Sequence, residues 1–475
     1  MFIRSMCLSA LVLISTQIVV AQQSRKPNIV FILADDLGYG DIQPYGQQLI
    51  QTPNLNRLAK EGMKYTQFYA GTSVCAPSRS SLMTGLHTGH TPIRGNKEVR
   101  PEGQVPIPDS TLTIAEVMKR AGYTTGLFGK WGLGFPGSEG DPVKQGFDKF
   151  YGYNCQAEAH RYYPTHLWDN TTRVDLEGND SLRKAVTYAP ELIQQKALQF
   201  IDDNRSKPFM LFLTYTLPHA ELLVPDDSLF EMYKGRFVER PYHGNDYGSK
   251  ATTGGASSQQ YPHATFAAMV TRLDMYVGQV MNKLKALGLD DNTLIIFTSD
   301  NGPHAEGGAD PKFFNSGGGL RGIKRDLYEA GIREPFIVKW QGKVKPGSVN
   351  NYAGAFWDVL PTLAQIAKEP VPAATDGISF LPSMTGKKQK AHDYLYWEFH
   401  EGGGKQAVRF DQWKCIRLNV DDSAKTTVEL YDLNNDKEEK NNIAAQHKDI
   451  TDKAVKLMNE AHSKSKEFPF AWEGE

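Results

Sequence analysis

Short β-branched and aromatic runs, apolar on both faces rather than one, recur along this 475-residue chain. They are "NIVFILA" at 28–34, "TTGLF" at 124–128, "PFMLFLTYT" at 208–216, "TLIIFT" at 293–298 and "PFIVKW" at 335–340. A strand without a polar face must be covered on both sides. Segments with helical spacing lie between the runs, such as "STLTIAEVMKRAGY", with Ser110 or Thr111 as its cap, and "ATFAAMVTRLDMYVGQVMNKLKALG". The alternation predicts an α/β fold: a mostly parallel sheet flanked by helices. Sheets of this kind place ligands beyond the carboxyl ends of their strands.

The texture changes after "KEPVPAATDGISFLPSMTG" at 368–386, where Pro and Gly cluster. Four short alternating runs follow ("HDYLYWEF", "KQAVRF", "KCIRLNV", "VELYDL"), then a polar helical stretch at about 449–465. They predict a smaller C-terminal antiparallel sheet plus a helix, packed on the main domain. The expected division is 1–21 as an export signal, 22–388 as the main domain and 389–475 as a C-terminal subdomain. The Gly/Ser-rich stretch 239–260 reads as an exposed insertion loop.

Lys and Arg total 53 against 54 Asp and Glu, with no long basic run, which argues against a nucleic-acid partner. The opening "MFIRSMCLSALVLISTQIVVAQQ" has a basic start, an apolar stretch and a small-residue cleavage site ending at Ala21. That is the pattern of a secretory signal peptide, and it predicts transport across the inner membrane to the periplasm. Ser9, Ser15, Thr16 and Gln17 interrupt the run and leave it short for a bilayer, so no stable membrane insertion is expected. Cleavage leaves Cys75, Cys155 and Cys415, an odd number, so at least one thiol is free or modified. Whether Cys155 and Cys415 pair stays open.

Charged groups follow four of the apolar runs. Asp35 and Asp36 follow the first, Lys130 the second and His219 the third; Asp300, Asn301 and His304 follow the fourth. Each has a bland reading as a turn former or a structural histidine. Four together at the ligand-binding end of one sheet point to chemistry. Asp35, Asp36, Asp300 and Asn301 offer hard oxygen ligands suited to Ca2+ or Mg2+ rather than zinc. Lys130, Lys324, His219 and Arg79 add groups able to hold a tetrahedral oxyanion. The set suits hydrolysis of a phosphate or sulfate ester. Cys75, in "CAPSRSSLMTG", matches neither the hard metal site nor the exported compartment, which suggests that it does not remain a cysteine.

"CAPSRSSLMTG" resembles the maturation motif of the type I, formylglycine-dependent sulfatases, C-x-P-S-R-x-x-L-x-T-G, at every fixed position. "PNIVFILADDLGYGD", "GYTTGLFGKWGLG", "FTSDNG", "LRGIKRDLYEAGIREPFIVKW" and "ELYDLNNDKEEKNNIA" resemble further segments of that family, so the likeness runs from about residue 26 to the end. The resemblance implies an alkaline-phosphatase-like fold and a Cα-formylglycine made from Cys75. It implies one Ca2+ held by Asp35, Asp36, Asp300, Asn301 and the modified Cys75. Arg79 would hold the formylglycine hydroxyl, Lys130 and Lys324 the sulfate oxygens, and His219 would bind sulfate and protonate the leaving alkoxide. The implied reaction is in-line attack of a diol oxygen on sulfur, then expulsion of sulfate as the aldehyde re-forms. The implied partners are a sulfated carbohydrate and a formylglycine-generating or anaerobic sulfatase-maturating enzyme, which would read Pro77 and Arg79 on the unfolded chain.

One position departs from the family pattern: where G-K-W-H-L-G is usual, Gly132 replaces the histidine. His160 is the expected substitute. Asn96, Glu98, Arg100, His166, Trp168, His304 and Arg321 are candidate substrate contacts, and the Trp- and His-rich loops favour a sulfated glycan over a small aryl sulfate. Two other classes use the same sheet. A phosphoester hydrolase of the alkaline-phosphatase-like group would want Ser or Thr as nucleophile and more metal-binding His. A non-catalytic sulfoglycan-binding relative would have lost the cysteine or the metal ligands.

Overall fold

The computed structural model describes residues 26–180, 185–245 and 256–474. The expected export signal lies outside them, as does the middle of the 239–260 insertion. The main sheet has eleven strands. In chain order they are β1 Asn28–Ala34, β2 Met63–Tyr69, β3 Thr124–Lys130, β4 Lys149–Tyr153, β5 His166–Asp169, β6 Thr172–Asp175, β7 Phe209–Thr214, β8 Thr293–Ser299, β9 Arg333–Trp340, β10 Ser348–Asn350 and β11 Gly354–Ala355. Their order across the sheet is β10-β2-β9-β8-β1-β7-β3-β4-β5-β6, with β11 also on β2. The centre, β8-β1-β7-β3-β4, is parallel, while β9 runs antiparallel to both of its neighbours.

Both faces of the central strands are buried, as their composition requires. Val30, Ile32, Leu211, Leu213, Ile295 and Phe297 pack on one side with the long helix Pro262–Ala286 and the helix Ala189–Asp203. Ile29, Phe31, Leu33, Met210, Phe212, Leu294 and Ile296 pack on the other with the helices Cys75–Thr84, Ile114–Arg120 and Val359–Ala367. This two-residue alternation divides the apolar side chains between two cores.

Some local expectations shift. The Ile114–Arg120 helix is capped by Thr113, not by Ser110 or Thr111. Thr113 and Glu116 form a reciprocal capping box, Oγ1 accepting from Glu116 N at 3.3 Å and Glu116 Oε2 from Thr113 N at 2.8 Å. That arrangement satisfies two otherwise orphaned donors and outcompetes an earlier start. The C-terminal sheet is antiparallel, with β12 Leu395–Phe399, β13 Lys405–Phe410, β14 Trp413–Leu418 and β15 Thr427–Asp432 in that order. Its helix spans Lys448–Ala461, a turn shorter than expected, and buries Ala454, Met458 and Ala461. Cys155 and Cys415 do not pair; with Cys75 they are free and buried.

Candidate active site

The register of the parallel strands assembles the site. Ala34 at the end of β1 pairs with Ser299 at the end of β8, so Asp35 and Asp300 leave the sheet side by side. Asp300 N donates to Ala34 O at 3.1 Å, and Asp36 N to Asp300 Oδ1 at 3.2 Å. Asp36 takes φ 61°, the left-handed region that Asp tolerates better than most residues, which turns the chain sharply after β1. Lys130, the last residue of β3, places Nζ 2.7 Å from Asp35 Oδ2, both side chains being fully buried. Lys324, from the segment before β9, places its own 2.8 Å from Asp36 Oδ2.

Cys75 begins a helix in which all ten residues are buried. Its Sγ lies 3.4 Å from Asp35 Oδ1 and 4.0 Å from Asp36 Oδ1. One turn on, Arg79 grips Asp300 Oδ2 through Nε at 2.9 Å and Nη2 at 2.7 Å, and donates Nη1 to Lys130 O at 2.8 Å. The fixed guanidinium fork thus ties the helix to two strand ends. Ser78 reinforces this by donating to Asp300 O at 2.5 Å.

The donor set fits a hard divalent cation. Three buried carboxylates converge with Asn301, whose Nδ2 donates to Asp36 Oδ1 at 2.6 Å and whose Oδ1 has no partner among the described residues. An orphaned buried amide oxygen beside carboxylates suits a hard cation such as Ca2+ or Mg2+. Ligand atoms of Asp35, Asp36, Cys75 and His219 all lie within 4.8 Å of one another. His219 Nε2, however, accepts from Lys324 Nζ at 2.9 Å, which leaves the oxygens as the metal-facing group.

The electrostatics separate the roles. Burial pushes the Cys75 thiol well above its ordinary range, and Asp35 adds to this. A thiol held protonated is a poor nucleophile. Burial would raise Asp35 as well, but Lys130 and Arg79 hold it well below the usual carboxylate range. Burial and the neighbouring Asp35 push Asp300 up to about 7. Burial and then Lys324 drive His219 well below the ordinary imidazole value, so its Nε2 is an acceptor and Nδ1 carries the proton to Ala220 O.

His160 stacks on His219, with ring centroids 4.3 Å apart, and burial lowers its pKa. His304 also stacks on His219, at 5.5 Å, but its ring nitrogens are engaged by Pro218 O and Glu306 N. Asn96 Oδ1 accepts from Ala76 N at 3.0 Å, beside Cys75. The remaining candidate contacts are not drawn into this group. His166 and Trp168 both bind Glu102, at 2.8 and 2.7 Å. Glu98 forms a bridge with Gln104, and Arg100 is exposed on the same loop. Arg321 lies over the Tyr328 ring and binds Tyr431 Oη and Glu439 O, which joins the main sheet to the C-terminal one.

Three residues absent from the sequence reading stand at the site. Gly132 has φ +83°, and a Cβ there would lie 2.1 Å from Gln156 Nε2. The Gln156 amide therefore fills the space of a side chain at 132, with neither of its polar atoms partnered among the described residues. Glu306 binds Lys324 at 3.2 Å and Arg325 at 2.5 Å. Glu221, buried, pairs with Arg161. The base of the 239–260 insertion is not simply exposed: Tyr242 and Gln259 exchange backbone hydrogen bonds, and Tyr242 lines a cavity beside His219.

The sheet and the charged cluster at its carboxyl edge define the alkaline-phosphatase-like class of ester hydrolases. Residues 27–369 match the family described as Sulfatase, and residues 322–466 that described as N-sulphoglucosamine sulphohydrolase, C-terminal. The chain is 30% identical to the N-acetylgalactosamine-6-O-sulfatase of Bacteroides thetaiotaomicron, over 92% of this chain and 93% of that protein. It is 32% identical to human arylsulfatase A, over 82% of this chain and 75% of that protein. The crystal structure of Ps i-CgsB in complex with k-i-k-neocarrahexaose superposes with a TM-score of 0.77 at 27% identity, covering 95% of this chain and 96% of the other. The chain belongs to the sulfatase family. It is a sulfuric ester hydrolase. No helix among the described residues is long and apolar enough to cross a membrane.

Proposed function

We propose that the chain hydrolyses a sulfate ester on a carbohydrate after export to the periplasm, with a Cα-formylglycine made from Cys75 supplying the nucleophilic oxygen. The observation that carries this reading is the placement of Cys75, its thiol held protonated, 3.4 Å from Asp35 in a hard-oxygen cluster ringed by Arg79, Lys130, Lys324 and His219. Asp35, Asp36, Asp300 and Asn301 would hold one Ca2+ together with the modified residue 75; a bound dication supplies charge stabilisation to the sulfuryl oxygens.

The chain's own groups do the rest. Arg79, fixed by Asp300 and by Lys130 O, orients the start of the Cys75 helix. Lys130 and Lys324 are placed to receive sulfuryl oxygens as negative charge develops, a contribution of about 10²–10³ in rate for one such donor. Lys324 Nζ and His219 Nε2, 2.9 Å apart, share a proton that passes to the leaving alkoxide. His160 and His304, both stacked on His219, keep that imidazole in place. The sugar assignment draws support from the glycan sulfatases among the relatives.

The deciding experiment is a mass spectrum of the Cys75 peptide after co-expression with a maturating enzyme. A loss of about 18 Da, or the corresponding hydrate, is expected. An unmodified thiol in a preparation that turns over 4-nitrophenyl sulfate would overturn the formylglycine reading.

A further inference from the structure

The C-terminal subdomain carries a cavity of its own, of about 450 Å³. That size falls within the range of small-ligand sites, about 300–1,000 Å³. Its walls come from β14, the turn between β14 and β15, the Lys448–Ala461 helix and the final turn Ala471–Gly474. None of the charged groups around Asp35, Asp36 and Asp300 lines it. Trp472 stands on one wall, 40% exposed, the one aromatic among the large apolar residues left exposed in the described chain. A single exposed indole needs no explanation by itself, but this one is held in place. Phe470 stacks on it at 5.9 Å and His462 packs beside it at 5.2 Å. Its turn is tied down by Ala471 N donating to Asp421 Oδ1 at 2.8 Å, Phe470 N to Glu473 Oε2 at 3.0 Å, and the His462–Glu473 contact at 2.6 Å. A fixed ring face on a polar cavity suits the apolar face of a pyranose, because little freedom is lost on binding.

Arg417 lines the same cavity. It donates Nη1 to Asn459 Oδ1 at 3.1 Å and Nη2 to Gln406 Oε1, both neutral amides. Its Nε has no hydrogen-bond partner, and it forms no ion pair among the described residues. By contrast, Arg79 and Arg94 each sit on a carboxylate. Asp421 is the one carboxylate among the described lining residues, and its Oδ1 is committed to the Trp472 turn. Its Oδ2, the Ser423 hydroxyl and Asn459 Nδ2 are open, a mixture of acceptors and donors that suits hydroxyl groups.

We propose that this cavity is a second carbohydrate site, which takes one sugar ring bearing an anionic group such as a sulfate. The ring stacks on Trp472, the anion meets the fork of Arg417, and hydroxyls meet Asp421, Ser423 and Asn459. The site stands apart from the reacting cluster and requires no turnover.

The test uses the full mature protein carrying Cys75→Ala, which prevents turnover, labelled with 5-fluorotryptophan. The seven tryptophans each give a fluorine resonance, and that of Trp472 is assigned by its loss in Trp472→Phe. Galactose 6-sulfate, galactose and inorganic sulfate are titrated separately. Galactose 6-sulfate is expected to move the Trp472 resonance saturably, with a Kd at least about threefold below that of galactose. Arg417→Gln is expected to remove that preference and to keep galactose binding, while the remaining resonances report an intact fold. A Trp472 resonance that no sugar moves overturns the proposal. So does equal affinity for galactose and its sulfate, or a preference unchanged in folded Arg417→Gln. An equal shift by inorganic sulfate at the same concentration also overturns it, leaving a simple anion site. None of these outcomes bears on Cys75, whose own test is the mass spectrum.

Discussion

Two of the buried acid–base clusters among the described residues are finished differently. In the first, Glu398 on β12 spends both oxygens on protein donors. Oε1 accepts from Tyr396 at 2.8 Å and His462 at 2.6 Å, and Oε2 from His400 at 2.9 Å with Arg94 at 3.5 Å. Burial alone would raise this carboxyl, but His400, His462 and Arg94 bring it down to about 2. In the second, around Asp35, Asp36 and Asp300, the protein's donors leave the cluster incomplete. Asp300 is pushed up to about 7, the Asn301 amide oxygen has no partner among the described residues, and a cavity adjoins. The closed carboxylate network stitches elements together; the one left short of donors fits the cation proposed above.

The largest effect that would break this contrast is at the nucleophile. Cys75→Ala is expected to lower 4-nitrophenyl sulfate turnover by at least about 10³-fold with little change in Tm, since it removes the proposed source of the nucleophile. Next comes the cation. Removing calcium with a chelator should lower Tm, and restoring it to about 100 times Kd should add about 2.7 kcal/mol of stability. Asp300→Asn should abolish that calcium-dependent shift in a thermal melt. Glu398→Gln should retain the shift yet cost about 3 kcal/mol in urea unfolding, because its cationic partners stay buried without their carboxylate.

The same residue gives a pH signature. Its folded pKa, about 2, lies below the ordinary 4.5, so its stabilisation is present above pH 4.5 and is lost as pH falls toward 2. Urea midpoints of wild type and Glu398→Gln should converge across that window; parallel curves would place the network's energy elsewhere. The smallest effect is at Arg321. Arg321→Ala should cost about 1 kcal/mol through its lost bonds to Tyr431 and Glu439, with KM unchanged. A raised KM would return it to the substrate contacts.

Much of this architecture was legible because burial on both faces leaves a compositional mark, and because functional groups of such sheets sit just past the strands. Asp35, Lys130, His219 and Asp300 could be found by reading one to three residues beyond each apolar run. The Thr113–Glu116 cap is present as a T-x-x-E spacing, with Ser110 and Thr111 as competing hydroxyls just before it. Gln156 left no such mark. Its relation to Gly132 depends on β3 and β4 pairing side by side and on the loop after β4 folding back, which no local pattern encodes. Arg321, His166 and Trp168 have the composition of ligand-binding residues, yet partners distant in sequence already occupy them. Composition identifies the chemistry a side chain can perform, but not whether the protein has already used it.

The pairing of Ala34 with Ser299 has a consequence for how such a site can change. A slip of one residue between β1 and β8 would displace Asp300 by about 3.3 Å and turn its neighbours to the opposite face of the sheet. The relative placing of Asp35 and Asp300 is therefore written in strand alignment, while His219 and Lys324 come from the segments between strands. Insertions in loops that carry none of these groups leave that placing intact, whereas a single insertion within either strand would undo it.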